Sequence, residues 1–143
     1  MKKVLMMPAL MLGLMSCVGS HNGSTNVKSQ GKDDRVEVIY FCGKQRCATC
    51  MAIEENTREV VNSMFGDELR DGSVVFKVVD ISTSEGEEVA DMYEVTWSSL
   101  FVNRWEDGEE TRNNLTEFGF GNARNNPDVF KQGLAEKIRQ SLE

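Results

Sequence analysis

Histidine is nearly absent from this sequence: His21 is the single copy among 143 residues. It lies in a polar stretch rich in Gly, Ser and Asn, which excludes it as a general base or ligand beside a folded site. Proline is almost as scarce, with Pro8 and Pro127 the two copies. No apolar run is long enough to cross a bilayer. Val4 to Met15 gives twelve residues, interrupted by Pro8 and Gly13, where a spanning helix needs about 20. Basic side chains are outnumbered, 16 Lys and Arg against 23 Asp and Glu, for a net charge of −7. That balance excludes a nucleic-acid partner and a polybasic grip on anionic lipid. The acids around Glu85–Glu88 and Glu106–Glu110 lack the alternating ligand order of a calcium loop. No internal repeat is present.

The N-terminal segment has the pattern of an export signal. Lys2 and Lys3 precede the twelve apolar residues, and this length suits a signal core. The following Leu14-Met15-Ser16-Cys17 resembles the lipobox of bacterial lipoproteins. The resemblance implies a signal peptide over 1–16, cleavage before Cys17 and lipidation of Cys17. Residues 17–34 then form a flexible, lipidated tether and 35–143 one domain. The expected location is the cell envelope: attached to a bacterial membrane through the lipid anchor, with the domain outside the cytoplasm.

Within 35–143, Val36–Phe41 is short, β-branched and aromatic, the pattern of a buried strand. Cys50, Ile53, Thr57, Val60, Val61, Met64 and Phe65 recur at steps of three and four, predicting a helix that opens near Cys47. Asp71-Gly72 predicts a turn. Val74–Ile81 is almost wholly apolar, which predicts a strand covered on both faces. Ser84 and Glu87 form a candidate capping box for a short helix with Val89, Met92 and Tyr93 on its apolar side. Leu100–Val102 predicts a third strand, and Asp107-Gly108 a hairpin into a fourth, Glu109–Phe118. A loop is expected over Gly119–Asn126. Asn126-Pro127-Asp128 then opens a last helix with Phe130, Leu134, Ile138 and Leu142 on one stripe. The order β-α-β-α-β-β-α predicts an α/β fold with a mixed four-stranded sheet flanked by helices. The helical crossovers favour parallel directions for the first three strands, and the hairpin makes the last pair antiparallel.

Chemistry concentrates where the first strand meets the first helix. Cys42, Cys47 and Cys50 fall within nine residues. Free N–H groups and the helix dipole stabilise an anion at Cys47, and Arg46 beside it is a second candidate for thiolate stabilisation. Cys50, one turn on, is within disulfide reach of Cys47; a Cys42–Cys47 pairing is the alternative. An exposed attacking thiol at a helix mouth and a more buried resolving thiol suit thiol–disulfide exchange. For Cys42 three readings stay open: a small buried apolar residue, a redox accessory, or a ligand. The C-x₄-C-x₂-C spacing matches three ligands of an iron–sulfur site but lacks a fourth.

With Cys47-Ala48-Thr49-Cys50 opening an amphipathic helix after VEVIYF, and with this order of elements, 35–143 resembles the thioredoxin-like family. The lipobox makes the chain similar to membrane-tethered thioredoxin-like proteins of bacterial envelopes. The run GKQRCATCMAIEENT is also similar to small thioredoxin-like proteins of gut Bacteroidetes, some encoded beside arsenic-resistance genes. The resemblance implies Cys47 as attacking and Cys50 as resolving cysteine, no cofactor, and protein or small-molecule thiols and disulfides as partners. The sequence departs from the family in three ways. Ser98, next to Trp97, stands where thioredoxins carry a proline facing the pair, so these two residues mark an altered groove. Ala-Thr lies between the cysteines, with Met51 after them. No acid of the first strand is expected to be buried, Glu37 being assigned to solvent or a sheet edge. Two alternatives to an envelope thiol–disulfide oxidoreductase are a thiolate module binding a soft metal or arsenite through Cys42, Cys47 and Cys50, and a non-catalytic interaction domain.

Overall fold

The computed structural model describes residues 34–143. Cys17, His21, the signal-like segment and most of the tether lie outside the described residues. The elements are β1 (Arg35–Cys42), α1 (Ala48–Met64), α2 (Gly66–Asp71), β2 (Val74–Asp80), α3 (Ser84–Met92), β3 (Ser99–Glu106), β4 (Glu109–Asn114), α4 (Thr116–Asn122) and α5 (Pro127–Leu142). The strands form one mixed sheet in the order β2-β1-β3-β4. This is the helix-flanked, thioredoxin-like α/β arrangement expected from the sequence.

β1 is central, and its alternation feeds two cores. Val36, Val38, Tyr40 and Cys42 face α1 and α5, where Ile53, Val60, Phe130, Leu134 and Ile138 close the main core. Ile39 and Phe41 face the other side, against Ala90 of α3 and Phe101. Phe130, Leu134 and Ile138 are fully buried. At about 1.5–3 kcal/mol for each such side chain, this stripe is what fixes α5 on the sheet. No described helix is long and apolar enough to cross a membrane.

Five expectations are corrected. β1 and β2 are parallel, but β3 runs antiparallel to β1, Phe41 lying opposite Ser99. The short α3 and segment 93–98 return the chain to the end of the sheet where β2 stops, so β3 must run the other way. β2 is an edge strand with Lys77 and Val78 exposed, not a strand covered on both faces. The fourth strand stops at Asn114, and much of the expected loop is α4. Asn114 Oδ1 accepts from Thr116 N, and Thr116 Oγ1 accepts from Leu100 N, which turns the chain off the sheet. α4 packs against α1 at Gly119, where even an added Cβ would meet Ile53 Cδ1 at an ordinary contact distance of 3.4 Å. The cap of α3 is Thr83, whose Oγ1 accepts from Gly86 N, rather than Ser84. Finally, Glu37 is buried. It lies on the same face of β1 as Ile39 and Phe41, and Arg35 Nε and Lys77 Nζ each donate to Oε1 at 2.8 Å.

Candidate redox site

The junction of β1 and α1 builds the site. β1 ends at Cys42, the exposed loop 43–46 crosses the end of the sheet, and Cys47 is the N-cap of α1. Its extended backbone (φ −72°, ψ 163°) aims the side chain back at the helix, and Sγ accepts from Cys50 N at 3.1 Å. Sulfur here fills the role that Ser or Asp oxygens usually fill at a helix start. Cys47 and Cys50 are joined as a disulfide, their Cα atoms 5.0 Å apart. Cys47 is exposed, whereas Cys50 is 6% exposed. An attacking reagent can therefore reach only one of the two sulfurs readily.

Cys50 is anchored from below. Tyr40 Oη, fully buried on β1, donates to the Cys50 carbonyl at 2.9 Å. Burial raises the Tyr40 pKa, and a hydrogen bond with Ser98 offsets part of that rise. Ser98 thus interacts with Tyr40, the residue that holds the Cys50 carbonyl. Trp97 beside it is 57% exposed and packs on Phe120 of α4 at 5.1 Å between ring centres.

Arg46 attends a different sulfur from the one the sequence suggested. Its Nη2 lies 3.0 Å from Cys42 Sγ, and its Nη1 donates to Glu54 Oε2 at 2.5 Å. Cys42 is buried and outside the disulfide. Burial pushes its thiol pKa up; the Arg46 charge and hydrogen bond pull it down without cancelling the rise. The nearby acids are also engaged: Glu54 holds Arg46 and Arg58. Glu37 is five residues up the strand from Cys42, about 16 Å at the usual rise per residue. Burial raises its pKa, but Lys77 and Arg35 outweigh that and hold it below the ordinary value. Among the described residues no group of three His, Cys, Asp or Glu side chains is gathered to hold a metal ion. Sequence reasoning missed Tyr40 as the support of Cys50; its signal was the single hydroxyl of β1.

Together these elements make an α/β protein of thioredoxin-like fold with a C-x-x-C disulfide at the mouth of its first helix. Among solved structures, a thioredoxin from Thermus thermophilus is similar at 20% identity, covering 74% of this chain and 72% of that one, with a TM-score of 0.47. A structure described as a malarial protein is similar at 17% identity, covering 70% of this chain and 98% of that one, with a TM-score of 0.42. No protein-family model matches the sequence, and no curated protein does.

Proposed function

We propose that this protein is a thiol–disulfide oxidoreductase, tethered through a lipid on Cys17 to a bacterial envelope membrane. The carrying observation is the disulfide between an exposed cap cysteine and a buried neighbour one turn later. In the reduced protein, the helix N-terminus favours Cys47 as thiolate. Cys47 Sγ attacks one sulfur of a substrate disulfide, forming a mixed disulfide and releasing the other substrate sulfur as thiolate. Cys50 Sγ, as thiolate, then attacks Cys47 Sγ. The second substrate sulfur leaves, and the Cys47–Cys50 disulfide forms. Two electrons pass to the substrate, whose thiolates take protons from water. A dithiol partner restores the reduced pair by the reverse exchange. The export-like segment and the lipobox-like Leu14–Cys17 support the location.

Reduction of insulin by dithiothreitol tests the chemistry. Wild type should accelerate it and Cys47→Ser should not. Cys50→Ser should accumulate mixed disulfides that a reductant releases. Equal rates for wild type and Cys47→Ser would overturn the proposal.

A further inference from the structure

On the α3 side of the sheet, residues of β3 and β4 meet segment 93–97 and α4. A groove of about 790 Å³ opens there, floored by Val95 and Phe101 and walled by Trp97 and Phe120. This volume falls in the range of sites that hold ligands or several side chains, roughly 300–1,000 Å³. Trp97 is among the most exposed large apolar residues described, and it is steadied by Phe120 instead of being buried. The groove is linked to the redox pair through a short chain of residues. Trp97 precedes Ser98, which bonds Tyr40, which holds the Cys50 carbonyl.

Its rim carries charge of one sign. Glu94 and Glu117 line it, both exposed, and no lysine or arginine does. Neither glutamate forms an ion pair within 4.0 Å among the described residues. Glu94 is held there by a left-handed backbone, φ 54°. Arg112 lies over the Tyr93 ring and feels the Glu94 charge, but it is engaged by Glu110 and the Met92 carbonyl. An apolar floor with an acidic rim complements a segment that pairs apolar with basic side chains. The aromatic walls add attraction for a cation near a ring face.

We infer that the Trp97–Phe120 groove is a recognition site for an extended peptide segment carrying lysine or arginine beside an apolar residue. This inference rests on the oxidoreductase reading for its purpose, the segment being one that flanks the target disulfide. Its binding chemistry does not depend on that reading.

The test uses the full oxidised chain and two short fluorescein-labelled peptides without cysteine. One alternates lysine and leucine; the other alternates glutamate and leucine. Anisotropy should show the lysine peptide binding more tightly, and raised salt should weaken it. Glu94→Gln with Glu117→Gln should weaken it about fivefold, as expected for two exposed ion pairs. Trp97→Ala should weaken it further, with Trp97→Phe recovering part of the loss. Equal affinity for both peptides, or no change in the glutamate double variant, would overturn the inference. So would a groove filled by a second copy of the chain, seen as a dimer that Trp97→Ala dissociates, or one that takes neutral phosphatidylcholine vesicles instead of peptide. Disulfide-bonded versions of both peptides separate the two readings. If the lysine peptide binds selectively but neither disulfide is reduced, the groove stands and the oxidoreductase reading fails.

Discussion

Replacing Glu37 with glutamine tests whether this buried acid serves the sheet or the site. Its side chain is 4% exposed and takes hydrogen bonds at 2.8 Å from Arg35 and Lys77. A hydrogen bond to a charged group contributes about 1.5–3 kcal/mol. The Lys77 side chain is 47% exposed, so solvent screening reduces its share to roughly 0–1 kcal/mol. Arg35, 31% exposed, keeps more. Removing the charge also removes the cost of burying it, leaving a net loss of about 2 kcal/mol at neutral pH. For a domain of this size that lowers Tm by roughly 8–10 °C. The folded pKa lies below the ordinary value of 4.5. The contribution is therefore complete above that value and disappears as pH falls through the folded pKa. Urea unfolding at pH 7 and at successively lower pH should show Glu37→Gln less stable at pH 7, with the gap narrowing in acid. The pH profile of insulin reduction, by contrast, should keep its shape, because Glu37 is about 16 Å from the end of β1 that leads into the site. A stability gap that is constant with pH would refute the electrostatic argument. A displaced activity profile would refute the separation of Glu37 from the site.

Other perturbations follow from the same geometry. Tyr40→Phe removes the hydroxyl that holds the Cys50 carbonyl and should cost about 1 kcal/mol by denaturant titration, with Cys50 N–H exchange accelerated. Arg46→Met should raise the titration midpoint of Cys42 in the oxidised protein, read by ultraviolet thiolate absorbance, because it deletes the charge that opposes burial; a fall would contradict the assignment. At Gly86 an added Cβ would lie 1.8 Å from the Asp80 carbonyl oxygen, so Gly86→Ala should destabilise by about 3 kcal/mol as α3 is pushed off β2. Cys17→Ala should move the protein from the membrane to the soluble fraction of lysed cells; unchanged fractionation would remove the lipid anchor.

The elements with strong periodicity were legible in the sequence. β1 alternates into two cores, α1 repeats at three and four, and α5 has a proline start and a four-residue stripe. Spacing also put Cys47 in the first turn of α1 with Cys50 in disulfide reach, leaving Cys42 as an alternative partner; in the fold Cys47 is the cap and is joined to Cys50. What escaped were features decided by distant partners. Nothing local in Glu37 announces that Lys77 and Arg35 will pair with it and cover it. Arg46 adjoins Cys47 in sequence, but in the fold its guanidinium bridges Cys42 and Glu54. α4 was hidden because Phe118, Gly119, Phe120 and Gly121 combine aromatic with glycine, a poor helical signature. Its helicity depends on docking against Ile53 and on the Thr116 bond to β3. The direction of β3 depended on where segment 93–98 delivered the chain, which periodicity does not encode.

Because a sulfur atom closes the first turn of α1, the helix carries a chemical gauge at its tip. Each exchange of bonding partner at Cys47 alters the electron density facing the Cys50 amide. That amide's proton resonance should therefore register oxidised, reduced and partner-linked molecules as separate signals, giving a readout of turnover without any added label.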